Sequence, residues 1–174
     1  MSLPDRDRKV QALIDLALER GAAAARLVAP SSVVTAEWVR LKCQFGCPHY
    51  NCCLTCPPYS PTPATMRQTI DGYATVILVH MQKEAQRLRK LMLKLERAAF
   101  LAGFHRALGF GVGPCHVCDD CDTSKPCLHG LQGRPSIECS GIDVYTTARN
   151  NGFFVQVLTS RDEAPNYFAL LLVD

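Results

Sequence analysis

Apolar positions recur along this chain with two different periods, and the switches between them mark out helices and strands. Over residues 8–18 apolar side chains fall at Val10, Leu13, Ile14 and Leu18 with charges between them, a helical stripe that Gly21 stops. Residues 22–28 and 33–41 are rich in small and β-branched types and read as extended segments, the second leading into Cys43. The chain is stiffened by Pro57, Pro58, Pro61 and Pro63, and residues 62–65 then open a helix that reaches Asp71 and Gly72. The unbroken run Val76, Ile77, Leu78, Val79 suits a strand covered on both faces. Residues 83–103 carry the clearest helix, with Leu88, Leu91, Met92, Leu95, Ala99 and Ala102 on one face and Arg87, Lys90, Lys94 and Arg97 elsewhere. A short strand over 105–110, a helix over 142–150 and closing strands over 153–158 and 167–173 complete the pattern.

This order of elements predicts the α/β class: one domain over residues 1–174, a mixed central sheet flanked by helices, and two cysteine-rich metal-binding loops. Hydrophobic residues make up 48% of the chain and charged residues 20%, enough to build a core that does not depend on metal alone. The formal charge of +3 falls as thiols ionise, and no clustered positive field is evident, so nucleic acid is not an expected partner. The charged N-terminus does not read as a secretory signal, and no apolar run approaches the length of a membrane span. The expected location is cytoplasmic, where clustered cysteines serve as ligands or redox thiols rather than as disulfides.

Ten cysteines change the picture most. Cys115, Cys118, Cys121 and Cys127 are separated by gaps of two, two and five residues, and successive two-residue gaps let thiolates converge on one inorganic core, as in the bacterial ferredoxin run. That run has three residues before a Cys-Pro pair, whereas here five precede Cys127 and Pro126 comes before it. Zinc bound by four thiolates is the competing reading, although such sites usually use two well-separated pairs. Asp119, Asp120 and Asp122 lie among these cysteines, and nearby carboxylates would lower a cluster's potential.

The other dense group holds Cys43, Cys47, Cys52, Cys53 and Cys56. Cys43, Cys47 and Cys56 are spaced for a loop that wraps a metal, with Cys52 or Cys53 in reach as a fourth ligand. The alternative is three protein ligands and an open iron acting on a substrate as a Lewis acid. Cys139 stands alone and reads as a small buried hydrophobe. His49, His116 and His129 flank the two groups as ligands or hydrogen-bonding neighbours, while His80 and His105 read as structural. Gly109, Gly111 and Gly113 lack the Rossmann spacing and are expected to offer backbone N–H groups near cluster sulfurs. The basic residues of the 83–103 helix read as a solvated face.

The segments Val39-Arg40-Leu41-Lys42-Cys43, Cys56-Pro57-Pro58-Tyr59, Gly113-Pro114-Cys115 onward to Cys121, and Gly141-Ile142-Asp143-Val144, taken in order, resemble a prokaryotic family of uncharacterised predicted metal-binding proteins. The resemblance implies metal binding at Cys43, Cys47, Cys56, Cys115, Cys118, Cys121 and Cys127; it implies no reaction. Cys52, Cys53 and Cys139 look like additions to the family pattern. The leading expectation is an iron-sulfur protein with one or two 4Fe-4S clusters, acting in electron transfer with a redox partner protein or as the redox component of an enzyme system. The alternatives are a metalloenzyme with an open iron and a small-molecule substrate at the first group, and a zinc-stabilised binding module.

Overall fold

The computed structural model describes residues 3–160 and 162–174. Helix α1 (Leu3–Glu19) leads to strand β1 (Ala24–Val28), and a single 3-10 turn at Pro30–Ser32 precedes α2 (Glu37–Gly46). After the first cysteine loop come α3 (Pro63–Asp71), β2 (Val76–Gln82), α4 (Ala85–Leu101) and β3 (Leu108–Phe110). The second cysteine loop separates β3 from α5 (Val144–Asn150), and β4 (Asn166–Leu172) follows. The strands are ordered β1-β2-β4-β3.

The two-residue period of a strand sorts β2 between two cores. Ile77, Val79 and Met81 face Val10, Leu13 and Ala17 of α1 and Leu88, Leu91 and Leu95 of α4. Val76 and Leu78 face the other way, toward Met66 and Ile70 of α3 and Ala148 of α5. The anticipated α/β arrangement of a sheet between helices is therefore present; the strand directions differ from the mixed expectation, because every pair is antiparallel. No helix among the described residues is long and apolar enough to cross a membrane.

Two expected extended segments take other forms. Extended chain in 33–41 ends at Thr35, which bridges Ile142, and α2 begins two residues later with Glu37 favourably placed in its first turn. The first cysteine group therefore follows a helix rather than a strand. Residues 153–158 form no strand: only Val155 is buried, and its carbonyl accepts from Arg149 Nε and Nη2 at 3.2 and 3.0 Å instead of from a neighbouring strand. His80 is structural as expected, with Nε2 2.8 Å from Asn166 Oδ1 and its ring stacked on Phe168. His105 lies exposed beyond α4 rather than in a strand.

Arg6 clamps the two ends of the described chain together, its Nε and Nη2 donating to Asp174 Oδ2 and Oδ1 at 2.7 and 2.9 Å. The guanidinium holds the Asp174 carboxyl below the usual carboxylate range. Because the folded-state value is lowered, the pair stabilises the fold fully above about pH 4 and that contribution, of about 1 kcal/mol, fades as the pH falls further. Urea unfolding at a series of pH values is expected to show this loss in the natural chain and a flatter acid limb in Asp174→Asn.

Candidate metal centre

The first loop is built from the end of α2. Cys43 sits in its last turn, and Cys47 caps it with a backbone N–H to Cys43 O of 3.3 Å, so the two thiols lie four residues apart on one side of the helix end. Tight turns follow: Asn51, with a φ of +61°, donates its N–H to Pro57 O at 2.8 Å, and Cys56 N–H closes on Cys53 O at 2.9 Å. Arg40 ties α2 to the loop's exit. Its Nη1 donates to Ser60 O at 3.1 Å, to Pro61 O at 2.9 Å and to Cys139 O at 3.4 Å, and its Nη2 to Pro58 O at 3.3 Å. Ser60 Oγ also donates to Cys139 O, at 2.6 Å.

Cys139 thereby enters the site. It is buried with Cys53 and Cys56, its Sγ 3.8 Å from Cys56 Sγ. Cys53 Sγ lies 3.2 Å from Cys56 Sγ. The turn that carries Cys139 is fixed by Ile137 N–H to Gly111 O at 3.1 Å and by Cys139 N–H to Ser136 Oγ at 3.1 Å. Gly141 completes that turn with a φ of +78°, and a Cβ there would strike the ring of Pro63. Gly141→Ala is expected to cost about 2–4 kcal/mol, from the left-handed backbone plus the overlap, measurable by denaturant unfolding.

The second loop gathers Cys115, Cys118, Cys121 and Cys127 around one recess of about 20 Å³, with Cys53 and Thr55 of the first loop on its wall. Asp122 shapes the link to Cys127: its Oδ1 accepts from Ser124 N at 3.0 Å, and Lys125 pairs with it at 2.9 Å, so its charge is offset locally. Helix α4 holds both ends of this loop. Arg89 Nη1 donates to Val112 O and Gly113 O, both at 3.0 Å, and Glu96 grips Arg134 at 2.6 and 2.9 Å while accepting from Gly109 N at 2.7 Å. Two of the three glycine N–H groups expected near sulfur are used differently, Gly109 on Glu96 and Gly111 on Pro135 O at 2.9 Å.

The two loops touch. Cys53, Cys56 and Cys139 form one buried cluster against which Cys115 and Cys121 pack, and the rings of His49 and His116 meet edge-on at 6.0 Å. All ten cysteines are free thiols. Cys52 turns back on its own loop, 3.4 Å from both Pro48 O and Tyr50 O, and does not join either set.

The electrostatics follow from this crowding. The neighbouring thiols of Cys43 and then Cys56 hold the Cys139 thiol well below the usual range, and the nearness of Cys139, followed by burial, pushes Cys43 and Cys56 up. Thiols crowded in this way resist ionising together, and a cation among them would relieve that. Beside them burial pushes Glu138 up to about 7, and its Oε2 is enclosed without a hydrogen-bond partner.

The donor set fits a thiophilic cation. A single ion with metal–sulfur bonds of about 2.3 Å in a tetrahedron spaces its sulfurs by roughly 3.8 Å, the separation of Cys56 and Cys139. Among the described residues no three His, Cys, Asp or Glu side chains are arranged to hold a metal ion, so these thiols would have to shift to bind one.

Sequence reasoning set Cys139 aside because no cysteine neighbours it in the chain; its signal was the adjoining Gly141-Ile142-Asp143-Val144 segment. Arg40, within the Val39–Cys43 motif, was likewise legible only as a motif letter. Arg89, Glu96 and Arg134 left no pattern apart from ordinary helix and loop charges.

Fold and site together define a cysteine-rich α/β protein with two neighbouring thiol clusters. The chain belongs to the family described as predicted metal-binding protein (DUF2284), which it matches over residues 26–173. No curated protein and no solved structure matches it.

Proposed function

We propose that this is an iron-sulfur protein that carries electrons between two metal centres and a redox partner. The observation that carries the reading is the contact between the loops: Cys53 lies 3.2 Å from Cys56 and shares the recess of the second set, so the centres sit side by side. Cys115, Cys118, Cys121 and Cys127 would hold one centre; Cys43, Cys47, Cys56 and Cys139 would hold the other. Bound iron-sulfur clusters would supply one-electron chemistry. The chain's own residues seat them: Arg40 fixes the Cys139 carbonyl, Arg89 and Arg134 fix the ends of the second loop, and Lys125 offsets Asp122.

Anaerobic purification and reconstitution with iron and sulfide, followed by iron and acid-labile sulfide determination and EPR of the reduced protein, tests this reading. Broad visible absorption and a reduced-state EPR signal are expected; a colourless product that retains neither iron nor sulfide would refute it.

One dimension supports a second reading, single zinc ions that stabilise the loops. The 3.8 Å separation of Cys56 and Cys139 is that of two thiolates on one tetrahedral ion. Stoichiometric zinc with no visible absorption under anaerobic handling distinguishes this case.

A further inference from the structure

The face of the first centre that bears Cys43 and Cys47 opens onto a cavity of about 440 Å³, separate from the recess of the second cysteine set. This volume suits a compact organic molecule of one or two rings. Its floor is apolar and buried, made by Val39, Ile142, Val155 and Phe168. At its rim stand the exposed side chains of Trp38 and Lys42, with Lys42 Nζ 5.1 Å from the centre of the Trp38 ring. Tyr145 and Tyr167 add two further aromatic walls.

The charged groups of the lining are Lys42, Glu138 and Asp143, and the Asp143 carboxylate is already engaged, accepting from Thr146 N at 3.0 Å and from Thr146 Oγ1 at 2.6 Å. Lys42 makes no ion pair among the described residues, and its ammonium lies over the Trp38 ring, where an anion bound beside that ring would meet it. At the inner wall stands Glu138, whose Oε2 is enclosed and has no partner. A buried acceptor of this kind costs free energy until a donor reaches it. A purely apolar molecule would leave Lys42 and Glu138 unused, so a ligand with an anionic group for the one and a hydrogen-bond donor for the other suits this lining.

We propose that this cavity binds a small aromatic carboxylate, its ring between Trp38 and the Val155–Phe168 floor, its carboxylate on Lys42, and a hydroxyl or amino donor at the far end directed toward Glu138. Such a ligand would lie against Cys43 and Cys47, so it would sense or modulate a metal held there. The binding rests on the cavity alone; only the effect on metal rests on the proposed function.

Trp38 is the single tryptophan of the chain, so its fluorescence reports on this cavity. The test titrates para-hydroxybenzoate, benzoate and the uncharged para-hydroxybenzyl alcohol into metal-free protein and into protein reconstituted with iron and sulfide. Saturable change in Trp38 emission in the millimolar range or tighter is expected for para-hydroxybenzoate, with the alcohol about fivefold weaker. Lys42→Ala, on an exposed helical position and checked for fold by circular dichroism, is expected to remove the advantage of the carboxylate over the alcohol. Glu138→Gln, used in the metal-free protein, is expected to shrink the difference between para-hydroxybenzoate and benzoate.

No saturable change up to about 10 mM of any probe, or equal binding of the acid and the alcohol, overturns the proposal. Binding by metal-free protein together with a colourless reconstituted sample would uphold the cavity while removing the iron-sulfur reading. A coloured sample that binds no probe would do the reverse.

Discussion

Cys139→Ser is expected to empty the first centre and leave the second loaded. Cys139 touches Cys56 at 3.8 Å and is buried with Cys53 and Cys56, so its sulfur brings a third, distant part of the chain to the Cys53–Cys56 turn. Loss of groups that merely orient a ligand costs about 10–100-fold in metal affinity, and loss of a thiolate donor costs more. After anaerobic reconstitution, metal per chain is expected to fall by about half, one of two centres, with any signal of the second set retained. Cys52→Ser provides the contrast, because Cys52 faces its own loop carbonyls and its replacement is expected to leave metal content unchanged. Equal metal content in Cys139→Ser and the natural chain would remove Cys139 from the site.

Arg40→Ala is expected to destabilise the protein by about 2–3 kcal/mol and to loosen the first centre selectively. One guanidinium joins α2, the Pro58–Pro61 exit and the Cys139 turn through four carbonyls and the Ser60 hydroxyl. Removing it leaves those half-buried acceptors without a charged donor and frees the two halves of the first centre to separate. Arg40→Lys keeps the charge but not the fork of donors, so it is expected to restore only part of the loss. Urea unfolding gives the stability, and the rate of metal transfer to a chelator gives the effect on each centre. A Arg40→Ala protein with unchanged stability and unchanged metal release would show that the fork holds nothing in place.

The elements read most securely from sequence were those whose own residues carry the period. Leu88, Leu91, Met92 and Leu95 mark α4 because they return to one face every turn, and Val76 to Val79 mark β2 because both its faces are covered. The period misled where partners decide the outcome. Residues 153–158 have strand-like composition, but their backbone meets the Arg149 side chain rather than a strand. The Val33–Val34–Thr35 run is extended only as far as its bridge to Ile142, beyond which α2 begins.

The chain alone determined the thiol-rich character of this protein and the tight grouping of Cys115, Cys118, Cys121 and Cys127, because short covalent gaps keep those side chains near one another in any compact fold. It also carried the motifs that mark the predicted metal-binding family. Tertiary structure alone decided that Cys139 stands against Cys56 across 83 positions, that Cys53 joins the two loops, and that Trp38, Lys42 and Glu138 border one cavity. Those neighbours are brought together by the packing of α2 and the Cys139 turn beside the sheet, and such long-range contacts leave no period or spacing in the sequence from which they could be read.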